Sequence, residues 1–148
     1  MKLNQEGYNL ITRFEGFSAK PYLCSAKVPT IGFGSTFYED GAKVTMGDKS
    51  ITKERALDMF KTIADKFAVD TVKLLTKEIS QNQFNAIVSF AYNCGMHSLR
   101  KSTLLKKVNI NPDDATIRQE FLKWNKAGGK ILTGLTRRRN EEANIYFS

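Results

Sequence analysis

The sequence predicts a mostly helical α+β fold, and three observations lead to that class. Apolar residues recur at helical spacing at the start of the chain and again in several segments after residue 50. Between residues 17 and 48 that period disappears, and short β-prone pieces alternate with turn residues. No repeat, low-complexity stretch or Pro/Ser-rich linker interrupts the 148 residues, so we expect a single domain over 1–148.

The first helix is predicted to begin after Asn4, which can cap it, and to end at Gly16, a residue suited to the left-handed turn that closes many helices. Its apolar positions recur at helical spacing: Tyr8, Ile11 and Phe14. Glu15 therefore falls in the last turn, with Phe17 shortly after it. The pieces KPYLC, VPTIGFG and AKVTM then follow, separated by turn signals such as EDG, and they predict a small antiparallel sheet.

Two long helices are predicted after the sheet. Thr52 can cap the first. Its apolar stripe is predicted to face the core: Ala56, Leu57, Phe60, Ile63, Ala64, Phe67 and Val72. The second should begin with residues 80–83, Ser-Gln-Asn-Gln, which have the form of a capping box, and should end at Gly95.

Three shorter helices complete the predicted plan. One should cover residues 99–108, and the next should open with Asn111 as cap and Pro112 in the first turn, before the AGG sequence at 127–129 breaks it. The last carries three consecutive arginines at 137–139. Because Glu141 and Glu142 follow within a turn, we expect the arginines to lie on a solvated helix face.

The charge balance favours encounter with polyanions. The chain has 23 basic and 15 acidic residues, which gives a net charge of +8. The lysines are dispersed and no basic stripe with interleaved aromatics emerges, so we expect no nucleic-acid partner. The two cysteines are too few for a disulfide framework and lack zinc-ligand spacing, so we expect free thiols, no metal and no cofactor.

Glu15 is a candidate general acid. A carboxylate at a helix C-terminus faces the negative end of the dipole, and flanking by Phe14 and Phe17 can remove solvent, so both effects favour the protonated form. Protonated carboxyl groups of this kind deliver protons to glycosidic oxygens. Taken alone, the residue is more consistent with an exposed helix-end glutamate of no chemical role, since most surface glutamates have none.

The neighbouring residues resemble a known family. Glu15, Cys24, Thr30 and the following IGFG at 31–34 resemble the Glu–Asp/Cys–Thr pattern of phage lysozymes, the endolysins of glycoside hydrolase family 24. Further matching stretches run through nearly the whole chain: GDKSITKERA, SQNQFNAIVSFAYNCG, STLLKKVN and WNKAGGKILTGLTRRRNEE. The resemblance implies a lysozyme-like fold, with a sheet-rich lobe at about 17–50 and a helical lobe of 1–16 and 51–148 flanking a substrate cleft.

The same resemblance implies a muramidase that hydrolyses the β-1,4 bond between N-acetylmuramic acid and N-acetylglucosamine in peptidoglycan. Glu15 would be the general acid. Cys24 would position or activate the attacking water, which suits a gap of roughly 6.5 to 9.5 Å between the two groups, and Lys20 or Lys27 could lower the pKa of its thiol. Two alternative roles for Cys24 stay open: it could act as the nucleophile, or it could simply fill buried space. Thr30 would orient the water.

Sugar contacts are implied at Tyr92 and Asn93, and at Ser102 and Thr103. An aromatic ring beside an amide suits carbohydrate, although Tyr92 could simply complete the apolar stripe of its helix. Relatives often have a histidine where this chain has Ser35, so no role of that imidazole transfers. Trp124 and Cys94 are interpreted as core fillers and His97 as an exposed loop residue.

Three rival functions stay open. A lytic transglycosylase cleaves the same bond with a single acid, and Glu39, Asp40 or Asp48 could instead supply a second one. The other two rivals are a thiol hydrolase that uses Cys24 and His97, and a basic nucleic-acid-binding domain.

The start of the chain lacks the apolar core of a signal peptide, and no run is long enough to span a membrane. We therefore expect no stable membrane insertion. The resemblance to holin-dependent endolysins implies a monomer that is held in the host cytoplasm until a holin releases it to its peptidoglycan substrate.

Overall fold

The computed structural model describes all residues from 1 to 148, and its elements confirm a mostly helical α+β fold. In chain order they are α1 (Gln5–Glu15), β1 (Ser18–Leu23), β2 (Pro29–Gly32), α2 (Lys53–Leu74), α3 (Gln81–Cys94), α4 (Met96–Lys101), α5 (Thr103–Ile110), α6 (Ile117–Leu122), β3 (Lys126–Ala127), β4 (Lys130–Ile131) and α7 (Thr133–Tyr146). None of the helices combines the length and the apolar character needed to cross a bilayer.

Two compact units make up the chain. Residues 8–66 form one, and residues 1–7 together with 67–148 form the other. The sheet-rich segment predicted at 17–50 lies within the first unit, where the greater part of α1 and the first half of α2 join it. We call these the sheet unit and the helical unit.

The sheet unit is built on one antiparallel strand pair. Tyr22 pairs with Thr30 and Leu23 with Pro29, and a register shift separates these pairs from the one at Ser18 and Gly32. The predicted third strand, AKVTM, is not a strand: only a single bridge forms, between Phe37 and Lys43. That bridge consists of two hydrogen bonds, from Tyr38 N to Ala42 O and from Val44 N to Thr36 O, and the pairing stops there because the Thr45 N–H donates to the Asp48 side chain.

The core of the sheet unit lies between the strand pair and two helices. Aromatic rings connect these elements, since Phe33 contacts Phe17 at 5.5 Å and Phe60 at 6.2 Å between ring centroids. Ile11 and Ile31 are fully buried.

The predicted Asn4 and Thr52 caps are both present at the starts of α1 and α2. Their side-chain oxygens accept from the backbone N–H groups of the third helical residues at 3.0 and 3.1 Å.

The helical unit is packed around α3. Its predicted capping box is confirmed, with the Ser80 hydroxyl accepting from Gln83 N and the Gln83 side chain accepting from Ser80 N. Nine consecutive residues of α3 are buried, from Gln83 to Ala91. Phe90 meets the rings of Phe121 and Trp124 edge-on at 6.0 and 5.3 Å, which confirms Trp124 as a core filler.

Four predicted helical features of this unit are wrong. The helix expected at 99–108 is two helices, because the Ser102 hydroxyl ends α4 by donating to Leu99 O (2.7 Å) and caps α5 by accepting from Leu105 N (3.0 Å). Asn111 does not open α6. It ends α5 and accepts from Asp113 N in a turn, so that α6 begins only at Ile117.

The third error is at 127–129, where the predicted break is a β-hairpin. Gly128 and Gly129 both have positive φ, +57° and +78°, which allows a two-residue turn between β3 and β4. The fourth is Val72, which is 37% exposed, because the buried face of α2 continues instead through Ala68 and Thr71.

Candidate active site

Glu15 is the last residue of α1, in the sheet unit. The helix ends there because Gly16 takes a φ of +67° and its N–H donates back to Thr12 O at 3.1 Å. Glu15 is partly exposed. The predicted apolar collar is incomplete, since Phe14 is half-buried while Phe17 turns toward Phe33 and stays 40% exposed.

A tight loop carries backbone directly against the Glu15 carboxylate. Ile31 and Ser35 exchange two backbone hydrogen bonds of 2.9 Å, and this bridge closes the loop through Gly34. A Cβ atom on Gly34 would lie only 2.6 Å from Glu15 Oε2 and 3.3 Å from its Cδ. Gly34 also has a φ of +80°, so its conformation favours glycine, and any larger residue here would displace the Glu15 carboxylate.

Cys24 and Thr30 come together at the end of the strand pair. Cys24 N donates to Val28 O at 3.1 Å and Lys27 N donates to Cys24 O at 2.8 Å, which folds residues 24–28 into a turn. Thr30 is 2% exposed, and its hydroxyl donates to Val28 O at 2.8 Å. The same hydroxyl contributes to lowering the pKa of the Cys24 thiol.

The environment favours the Cys24 thiolate. Its pKa is lowered chiefly by a hydrogen bond from the Val28 backbone, with smaller contributions from the Ala26 backbone and the Thr30 hydroxyl, while desolvation opposes the shift. The expectation that Lys20 or Lys27 would lower this pKa is therefore wrong, because hydrogen bonds of the turn are responsible. Cys24 is free and only partly buried, so it is not a core filler.

Tyr22 is a residue of this site that the sequence reasoning missed. It faces Thr30 in the strand register. Its pKa is raised by burial and then by the negative charges of Glu15 and Cys24, so the phenol lies within electrostatic reach of both groups. The feature that could have identified Tyr22 is the strand pairing, because Tyr22 in β1 pairs with Thr30 in β2.

The alternative acids of the sheet unit have structural partners. Glu39 forms an exposed ion pair with Arg55 at 3.4 Å. Asp48 accepts from the Tyr38 hydroxyl and from Thr45, and these hydrogen bonds lower its pKa. Asp40 accepts from the Ala42 N–H of the turn.

The predicted sugar contacts lie in the helical unit. Tyr92 and Asn93 are near the end of α3, where Tyr92 packs on Phe67 at 5.4 Å and Asn93 is exposed. Thr103 is exposed as the first residue of α5. Ser102 is 2% exposed and its hydroxyl is committed to the two capping hydrogen bonds, so it holds Thr103 in place rather than facing a ligand.

The arginine run is not a solvated face, and this expectation is wrong. Arg138 is 4% exposed, Arg139 and Glu142 are fully buried, and only Arg137 faces solvent. Glu142 lies 3.3 Å from Arg138 Nε and 3.0 Å from Arg139 Nε, and the Ser89 hydroxyl donates to it at 2.5 Å. These charges are buried because they pair with each other within α7 and with α3. The order of charged residues along the sequence did not indicate this pairing.

Two further expectations concern His97 and metal binding. His97 is exposed as predicted, but it lies on α4 and not in a loop. No group of three or more His, Cys, Asp or Glu side chains is arranged to hold a metal ion.

Comparison with known proteins identifies the family. The Phage lysozyme family matches residues 12–142. The Endolysin of Bacillus phage B103 is 38% identical, over 100% of this chain and 55% of its own length. The Endolysin of Acyrthosiphon pisum secondary endosymbiont phage 1 is 37% identical, over 100% of this chain and 99% of its own.

A solved structure agrees with these relatives. The Endolysin from Escherichia coli O157:H7 phage FAHEc1 has a TM-score of 0.90 and 34% identity, covering 100% of this chain and 94% of that one. The chain spans about half the length of the Bacillus phage relatives that it matches. The family match covers most of the chain and confirms the resemblance seen in its motifs: this chain belongs to the phage lysozyme family.

Proposed function

We propose that the protein is an N-acetylmuramidase that hydrolyses the β-1,4 bond between N-acetylmuramic acid and N-acetylglucosamine in peptidoglycan. One observation carries the proposal: the Glu15 carboxylate is held against the Gly34 backbone in the same unit as Cys24 and Thr30, where the turn environment lowers the pKa of the Cys24 thiol. The Endolysin names of the relatives and the Muramidase domain of SpmX, a structural neighbour at a TM-score of 0.83 and 28% identity, support it.

In the proposed mechanism Glu15 donates a proton to the glycosidic oxygen as the bond to the sugar breaks. Cys24 and Thr30 hold the attacking water, and the lowered pKa of Cys24 increases the fraction of its thiolate, the form that can accept a proton from that water. Tyr92, Asn93 and Thr103 contact the glycan. The departing oxygen keeps the Glu15 proton, and the water oxygen becomes the new hydroxyl at C1 of muramic acid. The proton that the water loses passes to the Cys24 thiolate and then to solvent, and Glu15 takes a proton back from solvent before the next turnover.

Charge supports a polyanionic partner. The helical unit has 14 basic and 8 acidic residues, a net charge of +6, whereas the sheet unit has 9 and 7, a net charge of +2. Such a surplus raises the local concentration of a protein on an anionic cell wall. On this proposal the protein acts as a monomer on peptidoglycan rather than on nucleic acid, after a holin releases it from the host cytoplasm.

The decisive test is product analysis of purified peptidoglycan digested in ¹⁸O-water, with Glu15→Gln as the control for contaminating activity. Hydrolysis should give fragments that end in reducing muramic acid and carry ¹⁸O at C1. Fragments ending in 1,6-anhydromuramic acid without ¹⁸O would instead establish a lytic transglycosylase. Salt-dependent DNA binding without any released fragment would support the nucleic-acid-binding alternative.

A further inference from the structure

The guanidinium group of Arg139 is the centre of a buried cluster behind Asn93. Arg139 is fully buried. Its Nη2 donates to Asn93 Oδ1 at 2.5 Å, and its Nη1 donates to Cys94 Sγ at 2.7 Å. Its Nε lies 3.0 Å from Glu142 Oε1, and its Cζ lies 5.1 Å from the ring centroid of Phe90. Two nitrogens of the guanidinium thus donate to polar partners, the third lies at ion-pair distance from a carboxylate, and the flat face of the group covers an aromatic ring.

This contact determines which way the Asn93 amide points. A guanidinium group donates hydrogen bonds and accepts none, so the Asn93 atom that faces Arg139 must be the oxygen. The Nδ2 group, with its two donors, is left on the other side of the amide. Asn93 is an exposed residue, so this side of the amide is accessible to solvent. The surface of the helical unit therefore presents a donor at this position.

The cluster can hold that orientation because its members are themselves held. Glu142 accepts from the Ser89 hydroxyl of α3 and pairs with Arg138, whose Nη2 donates to Ser89 O at 3.2 Å. A buried guanidinium without its carboxylate would carry a large desolvation cost, so Arg139 has little freedom to leave the cluster.

We propose that Arg139 is a positioning residue for carbohydrate binding. It fixes the Asn93 amide with Nδ2 outward, so that Asn93 selects an acceptor oxygen on the glycan, such as the carbonyl of an N-acetyl group. The inference rests on the proposed function, because it assigns a chemical polarity to one of its sugar contacts. Neither the thiol of Cys94 nor the charge of Glu142 takes part in the contact with sugar.

The test uses binding of a soluble N-acetylglucosamine oligomer to the full chain carrying Glu15→Gln, which removes turnover from the measurement. Asn93→Asp keeps an oxygen for Arg139 but replaces the outward donor with an acceptor. We expect its dissociation constant to rise about tenfold, the effect of losing one well-placed hydrogen bond to a ligand. The Asn93 Nδ2 protons should also shift in NMR spectra as the oligomer is added.

Asn144→Asp is the matched control. Asn144 is likewise exposed, and its Oδ1 likewise accepts from an arginine, Arg118 Nη1, at 2.9 Å. Its replacement should leave the dissociation constant unchanged. Equal binding by the two variants, or Asn93 Nδ2 signals that do not respond to ligand, would overturn the proposal.

Arg139→Lys tests the positioning role directly. A lysine keeps the positive charge but cannot reach Asn93 and Cys94 together in the fork geometry of a guanidinium. We expect weaker binding and a loss of the distinct Asn93 Nδ2 signals at a temperature where the variant is folded. If this variant does not fold, Asn93→Asp decides the question. Failure of the proposed function would appear separately, as peptidoglycan products other than reducing muramic acid while Asn93 still determined oligomer binding.

Discussion

Glu15 and Asn93 both lie at the C-terminal end of a helix, but the chain holds them by different means. Glu15 is held from outside by backbone, since a glycine of the neighbouring loop contacts its carboxylate. Asn93 is held from inside by the fully buried side chain of Arg139. The region around Glu15 is therefore sensitive to added atoms, whereas the region around Asn93 is sensitive to the loss of a partner.

The largest effect on activity should follow from replacing Glu15, the acid that the Gly34 backbone holds in place. Glu15→Gln is nearly isosteric and removes the proton that the proposed mechanism needs, so lytic activity should fall by roughly 10²- to 10⁴-fold. Because Glu15 is partly exposed, the melting temperature should change little. Turbidity loss of a peptidoglycan suspension and thermal unfolding measure the two quantities. Substantial activity in a pure preparation of this variant would remove Glu15 from the mechanism.

The largest loss of folding stability should follow from removing the buried carboxylate behind Asn93. Glu142→Ala leaves Arg138 and Arg139 buried without their carboxylate, and we expect a loss of about 3–5 kcal/mol. That corresponds to a fall in melting temperature of roughly 10 °C for a chain of this size. The control is Glu141→Ala, a partly exposed neighbour on the same helix, which should cost less than about 1 kcal/mol. A similar melting temperature for both variants would contradict the buried pairing.

Adding one carbon atom tests the backbone contact. Gly34→Ala forces the Glu15 carboxylate to move, because the new Cβ would lie 2.6 Å from Oε2. A displacement of about 1 Å at a reacting group can cost roughly 10²-fold in rate. Gly41→Ala is the matched control, since Gly41 has a φ of +87° but no atom within 4 Å of its Cβ position. Both variants should be destabilised by about 1 kcal/mol. Only Gly34→Ala should lose activity.

The role of Cys24 can be refined by two replacements. Cys24→Asp should keep activity within about tenfold, because a carboxylate can hold the same water, whereas Cys24→Ala should lose roughly 10²-fold. Turbidity assays on both proteins measure the difference. An inactive Cys24→Asp beside an active Cys24→Ala would reverse the assignment of Cys24 as the water-holding group.

The smallest expected effect compares the two thiols. Hydrogen bonds lower the pKa of Cys24, while burial raises that of Cys94, so at any pH below 8 the Cys24 thiolate fraction is the larger. Iodoacetamide should therefore modify Cys24 first, as followed by peptide mass spectrometry between pH 6 and 9. Loss of activity should accompany this step. Faster modification of Cys94, or full activity of the alkylated protein, would contradict this prediction.

The sequence predicted the features that depend on neighbouring residues. The Asn4, Thr52 and Ser80 caps could be read within four residues, because a side chain and the amides that it satisfies are close in the chain. The α+β class followed from periodicity in the same way. The family pattern around Glu15, Cys24 and Thr30 was visible for the same reason, since the three residues fall within one short segment.

What the sequence did not reveal depends on distant pairing. The burial of Arg139 requires Asn93 and Cys94, more than forty positions away, so a charge pattern along one helix could not indicate it. Tyr22 could be assigned to the site only with the strand register known. Ser102 was misread because its flanking residues continue a helical pattern, and only a hydroxyl shared between Leu99 and Leu105 shows the break.

The β3–β4 hairpin has a practical consequence. Residues 126–134 are all exposed, with lysines at 126 and 130, so this segment contributes little to the buried core. Segments of this kind are where a protease nicks a folded chain first and where an inserted sequence is best tolerated. The hairpin turn at Gly128 and Gly129 is therefore the place to attach a reporter or an additional module without disturbing the packed core.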